Sequence, residues 1–310
     1  MQKTSKIYVA GHCGMVGSAI VRALTAQGYG NLIVKPHSEL DLTDRHAVKS
    51  FFAKHEIEYV FLAAAKVGGI LANDQFGGDF IRENLLIQVN VIEEAYRSGV
   101  QKLLFLGSSC IYPRLAPQPI KERSLLTGEM EPTNLPYAVA KIAGKTMCDA
   151  YRKQYGFNAF TVMPSNVYGV GDNFDPQNSH VVAGLMQKFH AARIEGKDKV
   201  VAWGTGSPMR ELINADDLAD ACIYLMNNYE GGGLINAGSN QEVSIKELTE
   251  LLRKVVDFKG ELGWDNSKPD GTPRKIMDNS KLFGMGWRPR VLLQKGLEDM
   301  YAWYIQSIRE

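Results

Sequence analysis

Short apolar runs alternate with longer amphipathic segments over the first half of the chain. The runs, which are typical of buried strands, lie at residues 6–10, 31–35, 59–65, 103–107 and 159–163. The segments between them carry apolar residues at helical spacing, most clearly at residues 18–27, 80–97 and 134–155. Because strands and helices alternate, the pattern predicts a doubly wound α/β fold, in which helices cover both faces of a parallel sheet.

The strict alternation ends near residue 163, although Asp216 and Asp217 are expected to cap one further helix of the same kind. We therefore predict a Rossmann-like dinucleotide-binding domain at residues 1–163, to which residues 214–237 return. A smaller C-terminal α/β lobe for the substrate is predicted at residues 164–213 and 238–310.

Composition and charge narrow the class of protein. Apolar residues make up 45% of the chain and charged residues 22%, which is ordinary for a soluble globular protein. Lys and Arg number 35 against 34 Asp and Glu, so net charge indicates neither a nucleic acid nor a membrane as partner. Cys13, Cys110, Cys148 and Cys222 lack zinc-binding spacing. We expect reduced thiols, no metal site and a cytoplasmic protein without a targeting or membrane-spanning segment.

A glycine-rich segment, Gly11-His12-Cys13-Gly14-Met15-Val16-Gly17, joins the first predicted strand to the first helix. Glycine lets the backbone approach a pyrophosphate, which binds to the amides and the positive end of a helix N-terminus. A tight strand-to-helix turn is the alternative, but the position between strand and helix favours a dinucleotide site. Lys35 and His37 stand where an acidic residue would bind the ribose of NAD, which favours NADP.

Two other segments are expected at the same edge of the sheet, residues 63–65 and 108–110, because ligands bind beyond the carboxyl ends of parallel strands. Tyr137 and Lys141 are four residues apart in a predicted helix, so they lie on one face. A nearby ammonium favours the ionised form of a phenol, and Ser108 offers a second hydroxyl. This group suits the reduction of a carbonyl, although the spacing alone also fits an exposed Lys beside a half-buried Tyr.

The glycine motif, the serine after the fourth strand and Tyr137-x-x-x-Lys141 together resemble the extended short-chain dehydrogenase/reductase family. Further segments narrow the resemblance to the branch that acts on GDP-4-keto-6-deoxy-mannose: GSSCIYP at 107–113, NSHV at 178–181, WGTGSPMRE at 203–211 and KPDGTPRK at 268–275. The resemblance covers nearly the whole chain. It implies an NADP-dependent oxidoreductase and epimerase that converts GDP-4-keto-6-deoxy-D-mannose to GDP-L-fucose, by inversion at C3 and C5 and reduction at C4.

The resemblance implies five catalytic residues, Ser108, Cys110, Tyr137, Lys141 and His180. A ketone at C4 acidifies the C–H bonds at C3 and C5, so inversion needs one group to take a proton and another to return it. Cys110 and His180 are the implied pair, and which of them is the acid at each carbon stays open. Ser108 and Tyr137 would stabilise the enolate oxygen. Tyr137 would then protonate it, while Lys141 holds the cofactor ribose and lowers the tyrosine pKa.

Taken alone, a cysteine after a strand is most often a small buried residue, and a histidine that opens a helix is most often a cap or a surface group. Only the full set of residues favours catalytic roles for Cys110 and His180. Cys148 and Cys222 lie in apolar helical surroundings and are expected to be core thiols.

A long cofactor-binding surface follows from the motif and the resemblance together. Its members are Gly11, His12, Cys13, Gly14, Met15, Val16, Gly17, Lys35, His37, Asp41, Leu42, Ala63, Ala64, Ala65, Leu106, Gly107, Ser108, Ser109, Tyr137, Lys141, Pro164, Ser165, Asn166, Val167 and His180. Family members often carry Arg at the positions of Cys13 and His37, where it would meet the 2′-phosphate of NADP. Lys35, His12 and His37 are the remaining candidates for that contact.

For the substrate lobe the resemblance implies Lys188, Trp203, Arg210, Asp270 and Lys275. Arg and Lys suit a diphosphate, and a Trp ring offers apolar surface for a sugar or a base. A solvated helical position is the alternative for Lys188. The resemblance also implies a homodimer formed through a four-helix contact of residues 80–97 and 134–155.

Two other functions remain open. A related enzyme could act on a GDP-6-deoxy-4-keto-heptose, as a reductase or as an epimerase/reductase, and would differ in the shape of the site near residues 178–188. A non-catalytic dinucleotide-binding sensor is the alternative from another class. The presence of all five catalytic residue types argues against the sensor.

Overall fold

The computed structural model describes residues 1–176, 179–267 and 270–308. Its strands are β1 (Ile7–Ala10), β2 (Leu32–Ile33), β3 (Tyr59–Leu62), β4 (Lys102–Leu106), β5 (Ala159–Pro164), β6 (Asn166–Tyr168), β7 (Lys199–Trp203), β8 (Met209–Asn214), β9 (Leu234–Ala237), β10 (Glu242–Ser244), β11 (Glu261–Asp265) and β12 (Arg274–Lys275). Its helices are α1 (Met15–Ala26), α2 (Arg45–His55), α3 (Ile70–Gln75), α4 (Gly77–Arg97), α5 (Leu135–Tyr155), α6 (Val181–Ile194), α7 (Ala215–Asn228), α8 (Ile245–Val256), α9 (Ser280–Gly284) and α10 (Leu293–Ser307).

A six-stranded sheet lies at the centre of the fold, in the order β2-β1-β3-β4-β5-β9. Each neighbouring pair is parallel. The chain leaves β1 for β2 on one side and returns to β3 on the other, so the order reverses between β1 and β3. A reversal of this kind opens a crevice beyond the carboxyl ends of the strands, where ligands bind. The prediction of a doubly wound parallel sheet is confirmed.

Helices cover both faces of this sheet. Ile7 and Val9 point to the face covered by α1 and α7, whereas Tyr8 and Ala10 point to the face covered by α2, α4 and α5. Successive residues of a strand face opposite sides, so a strand covered on both sides is apolar throughout. All four residues of β1 are buried for this reason.

The second part of the chain is built around β8. This strand pairs with β6 and β12 in parallel and with β10 antiparallel, and a separate pair joins β7 to β11. Helices α6, α8 and α10 share one apolar cluster beside these strands. Strand β9 lies in the main sheet beside β5, and α7 packs on the same apolar face as α1. The division of the chain at residue 163 stays a prediction.

Three local expectations were wrong, two on the extent of a strand and one on the cap of a helix. The segment 31–35 forms only the two-residue edge strand β2, and residues 63–65 lie beyond the end of β3. Helix α7 is capped by Asn214, whose side-chain oxygen accepts a hydrogen bond from the Asp216 amide 2.9 Å away. Asp217 does not cap the helix. Its carboxylate accepts hydrogen bonds from the backbone amides of Arg290 and Val291, and so joins α7 to the segment just before α10. Among the described residues, no helix is long and apolar enough to span a bilayer.

Candidate active site

The turn from β1 into α1 is packed so closely that two of its residues must be glycine. Gly11 has a φ of +86°, and a Cβ on it would lie 2.6 Å from the backbone nitrogen of Ala64. A Cβ on Gly17 would lie 2.0 Å from the carbonyl oxygen of Gly11. The missing side chains therefore bring the first turn of α1 against Gly11, and bring Gly11 against residues 63 and 64 at the carboxyl end of β3.

The N-terminus of α1 is suited to an anion. Gly14 caps the helix without a side-chain hydrogen bond, and Met15, Val16 and Gly17 form a first turn that contains no acidic residue. Amides at such a terminus and the positive end of the helix dipole attract a phosphate. The close approach of the backbone and the uncapped amides fit the pyrophosphate of a dinucleotide.

The residues expected around the 2′-phosphate differ in whether they already have a partner within the protein. Lys35 Nζ pairs with Glu39 at 2.5 Å, so part of its charge is already neutralised. The side chain of His37 is 83% exposed and its ring lies 3.9 Å from Asp41. Within the described residues, the Nδ1 of His12 is buried and has no hydrogen-bond partner.

Three further members of the predicted cofactor surface have local partners. His12 Nε2 lies 3.3 Å from the sulfur of Cys13, which is exposed. One oxygen of Asp41 accepts hydrogen bonds from the amide and the hydroxyl of Thr43, and these bonds hold the pKa of Asp41 below its usual range. Leu42 is buried, and its carbonyl accepts a hydrogen bond from Asn90 at 2.9 Å.

The end of β4 leads directly into a catalytic segment. A Cβ on Gly107 would lie 2.4 Å from the methyl group of Met163, so the turn after Leu106 packs tightly on β5. Ser108 then opens a single turn, Ser109–Ile111, and its hydroxyl accepts a hydrogen bond from the Cys110 amide at 3.4 Å. Ser109 and Cys110 are both buried.

Tyr137 and Lys141 face this turn from the first half of α5. The ammonium of Lys141 donates a hydrogen bond to the carbonyl of Leu106 at 2.8 Å and lies 5.8 Å from the centre of the Tyr137 ring. Only 3% of Lys141 is exposed, and burial lowers the pKa of its side chain to about 8. The ring of Phe80 packs edge-on against Tyr137, with the ring centres 6.2 Å apart.

The expectation that Tyr137 has a lowered pKa is wrong for this structure. Burial raises the pKa of the phenol, and the hydrogen bond with Ser108 offsets only part of this effect. The reason is that Lys141 is itself buried and directs its ammonium to a backbone carbonyl. Tyr137 is therefore a neutral hydrogen-bond donor at neutral pH.

The thiol of Cys110 is subject to opposing effects. Burial raises the pKa of the thiol, whereas the charges of Lys275 and Lys141 and the hydrogen bond with Ser108 lower it. Four of the predicted residues, Ser108, Cys110, Tyr137 and Lys141, are thus brought together with a fifth, Lys275, from the far end of the chain.

His180 opens α6, in the second part of the chain. It caps α6 with its backbone and its residue is exposed, although neighbouring protein atoms desolvate the imidazole enough to lower its pKa. In the part of the chain that the structure describes, no hydrogen bond or ion pair joins its ring to Cys110 or Tyr137. Asn178, from the same motif, lies outside the described residues, as do Lys268 and Pro269.

The other nucleotide-side residues line the ends of β3 and β5. Pro164 ends β5 and Ser165 follows it, buried, with a hydroxyl that has no partner within the described residues. Asn166 and Val167 begin β6. Residues 63–65 are only partly buried, which is expected of a surface that a cofactor could cover.

Two of the predicted substrate residues are cross-strand neighbours. Arg210 on β8 is paired in register with Lys275 on β12. Burial lowers the pKa of both side chains, which indicates two cations held close together in a poorly solvated position. The nearby charge of Asp270 acts in the opposite direction on Arg210.

The remaining substrate candidates have structural partners of their own. Asp270 accepts hydrogen bonds from the amide and the hydroxyl of Thr205, at 2.7 and 2.8 Å. Lys188 donates a hydrogen bond to the carbonyl of Val201. Trp203 ends β7 and is 57% exposed. Through its two hydrogen bonds with Thr205, Asp270 holds the glycine turn that follows Trp203.

Sequence patterns missed two acidic residues near the site. Asp172 is buried, one of its oxygens has no partner among the described residues, and burial raises its pKa to about 7. Its neighbour Gly171 packs against Met15 and Ser18 of α1, so the carboxyl of Asp172 lies near the turn from β1 into α1. Glu131 precedes α5, and its charge acts on Lys275. The only sequence signal for Asp172 was its place in the polar stretch after β6.

Comparisons with known proteins identify the relatives of this chain. A family model described as the NAD dependent epimerase/dehydratase family matches residues 7–238. The chain is 58% identical over 306 residues to GDP-L-fucose synthase 1 of Arabidopsis thaliana, covering 99% of this chain and 95% of that protein.

Two solved structures extend the likeness. The GDP-mannoheptose C4 reductase from Campylobacter jejuni with NADP bound is 40% identical, with a TM-score of 0.91 and coverage of 98% and 99% of the two chains. A GDP-L-fucose synthetase from Naegleria fowleri bound to NADP is 26% identical, with a TM-score of 0.92 and coverage of 100% and 96%. These likenesses confirm the resemblance inferred from the motifs. The chain belongs to the NAD dependent epimerase/dehydratase family.

Proposed function

We propose that the chain converts GDP-4-keto-6-deoxy-D-mannose to GDP-L-fucose, by epimerisation at C3 and C5 followed by NADPH-dependent reduction at C4. The observation that carries the proposal is the grouping of the Ser108 and Tyr137 hydroxyls with the Cys110 thiol and the Lys141 ammonium. The 58% identity to a plant protein named GDP-L-fucose synthase supports the same substrate.

NADP fits the nucleotide side of the site, and NADPH when bound supplies the hydride for C4. The backbone at Gly11 and Gly17 and the first amides of α1 would hold its pyrophosphate. Lys141 would hold the ribose next to the nicotinamide. Lys35, His12 and His37 remain the candidates for the 2′-phosphate, and Lys35 is already paired with Glu39.

Epimerisation begins when a base takes the proton from C3 or C5. The electron pair of the broken C–H bond moves into the enolate and places negative charge on the C4 oxygen, where Ser108 and Tyr137 donate hydrogen bonds. Cys110 is one of the two groups that exchange protons with the sugar, and His180 is the other. Return of a proton to the opposite face of the carbon completes each inversion.

Reduction uses the same donors. Tyr137 is protonated at neutral pH because burial raises its pKa, so it has a proton to give to the C4 oxygen. Ser108 keeps its hydrogen bond to that oxygen while the carbonyl becomes a hydroxyl. The hydrogen bond from Lys141 to Leu106 keeps α5 against the end of β4 during the step.

The test is to incubate the purified protein with GDP-4-keto-6-deoxy-mannose and NADPH in D₂O. We expect NADPH oxidation, and a fucose product with deuterium at both C3 and C5 by NMR. A Cys110→Ser variant should lose the inversion but retain some direct reduction at C4. Absence of NADPH oxidation would exclude the fucose function, and tight NADPH binding without any turnover would favour a sensor.

A second candidate is the reduction of a GDP-4-keto-heptose. The observation that favours it is the TM-score of 0.91 to a GDP-mannoheptose C4 reductase at 40% identity. The same experiment separates the two, because a simple reductase yields a C4 alcohol without deuterium at C3 and C5.

We also propose that the protein is a homodimer and that it is located in the cytoplasm. Leu86 and Val89 on α4, and Leu135 and Val139 on α5, are large apolar side chains that are each more than 40% exposed. A stripe of this kind on two neighbouring helices favours a homodimer in which a second copy covers it.

All four cysteines are free thiols, which is consistent with a cytoplasmic enzyme.

A further inference from the structure

We propose that Lys275 is a positioning residue for epimerisation, whose ammonium stabilises the thiolate of Cys110 rather than serving only as a ligand of the substrate diphosphate. The inference rests on the proposed function for its chemistry. It assigns to β12, in the second part of the chain, a role in the proton transfer carried out at the end of β4.

The fold brings the two residues together through a continuous set of contacts. Cys110 and Met277 belong to one buried apolar cluster, which also contains Ile120. The amide of Ile120 donates to the carbonyl of Ile276 at 2.7 Å, and the amide of Asp278 donates back to the carbonyl of Ile120 at 2.8 Å. The segment that follows Lys275 is therefore bonded to the loop that follows Cys110.

The orientation of Lys275 is fixed from the other side by β8. Lys275 lies opposite Arg210 in the parallel pair, and burial disfavours a second cation beside that guanidinium. The charges of Cys110 and of Glu131 favour the protonated form of Lys275. An ammonium held between a guanidinium and a thiol is stabilised when the thiol ionises.

The charged and titratable groups that face the thiol come from three elements. They are Ser108 of its own turn, Tyr137 and Lys141 of α5, and Lys275 of β12. Lys141 is bound to a carbonyl, and burial disfavours its charged form. Of these two lysines, Lys275 lowers the pKa of Cys110 more than Lys141 does.

This charge matters because Cys110 alternates between thiol and thiolate whichever carbon it serves. When the thiolate takes a proton, the C–H bond breaks, the S–H bond forms and the electron pair passes to the C4 oxygen. When the thiol gives its proton, the same changes run in reverse. The half-buried ammonium of Lys275 lowers the free energy of the thiolate in both directions.

The test compares Lys275→Met, which removes the charge, with Lys275→Arg, which keeps it. Arg274→Met is the matched control, because this neighbour on β12 is exposed and paired with Glu242. The first readout is the rate at which iodoacetamide alkylates Cys110 at pH 8, followed by mass spectrometry of its peptide. Cys13, which is exposed, serves as the internal reference in each sample.

We expect Lys275→Met to slow alkylation of Cys110 on the order of tenfold, because only the thiolate reacts, while Cys13 is unaffected. Deuterium exchange into C3 and C5 in the presence of NADP⁺ should slow in parallel. Lys275→Arg should retain most of both rates, and Arg274→Met should match the wild type.

An unchanged alkylation rate together with weaker binding of GDP would make Lys275 a diphosphate ligand only and would overturn the inference. Slower alkylation in Lys275→Met, combined with no deuterium exchange even in the wild type, would support the contact between lysine and thiol and refute the sugar substrate. Circular dichroism of each variant establishes that it is folded, and Lys275→Arg provides the comparison if the Met variant is not.

Discussion

At the scale of single residues, burial decides the chemistry of the site. Tyr137 and Cys110 both have raised pKa values because they are removed from water, whereas Lys141 has a lowered one. The neutral forms that result are a phenol and a thiol that still carry their protons. Such a site has protons to donate at neutral pH, and it needs nearby positive charge to stabilise the anion that forms when a proton leaves.

Replacing Tyr137 by Phe should abolish the proton donor without removing the aromatic packing against Phe80. We expect kcat for C4 reduction to fall by about 10²–10⁴-fold, with NADPH affinity nearly unchanged. The measurement is NADPH oxidation at 340 nm together with binding followed by NADPH fluorescence. A variant that retains more than about a tenth of the rate would show that another group protonates the oxygen.

The buried Lys141 should make stability depend on pH. Its pKa is lowered from 10.5 to about 8, so between these values the unfolded chain binds more protons than the folded one and the unfolding free energy rises with pH. Relative to Lys141→Met, the wild type should gain about 3 kcal/mol between pH 7 and pH 10.5. Urea unfolding at several pH values measures this difference.

Lys145→Met is the control for that experiment. Lys145 lies one turn further along α5 and pairs with Asp149 at 2.5 Å, outside the buried cluster. It shows how much of the effect follows from removing any lysine charge on this helix. If the Lys141→Met difference varied with pH no more than the Lys145→Met difference, Lys141 would be solvated in the folded protein.

At the scale of helices and strands, glycines and caps decide where elements begin and how closely they pack. The helical pattern of 80–97 and 134–155 predicted α4 and α5 to within a few residues, because apolar spacing is local information. The cap of α7 could not be placed, since Asn214 and Asp216 are both good capping residues and only the register of β8 selects between them.

Gly17 gives a prediction at this scale. Gly17→Ala should destabilise the protein by about 1–3 kcal/mol, because the added methyl group would overlap the carbonyl of Gly11. It should also weaken NADPH binding by moving α1 away from β1. Thermal unfolding and fluorescence titration measure the two effects.

Gly78→Ala is a matched substitution in the first turn of another helix, α4, where a Cβ meets nothing within 4 Å. It should leave NADPH binding unchanged and leave stability equal or slightly higher, because alanine loses less chain entropy on folding. Equal effects at positions 17 and 78 would contradict the steric explanation.

At the scale of the whole molecule, the exposed apolar stripe on α4 and α5 predicts a dimer. Replacing both Leu86 and Val89 by Glu should convert a dimer of 34.4-kDa chains to monomers in light scattering after gel filtration. Ile194→Glu is the control, because that residue is 68% exposed on α6 and lies outside the stripe. A monomeric wild type would refute the homodimer.

The sequence by itself determined the alternation of strands and helices, the parallel sheet and the glycine loop. These follow from periodicity and from motifs in which the residues are neighbours along the chain. The tertiary structure alone decided that burial raises the pKa of Tyr137 and that the charge of Lys275 acts on Cys110. Burial and charge depend on contacts between distant segments, such as residues 110 and 275, and the order of residues in a chain does not specify those distances.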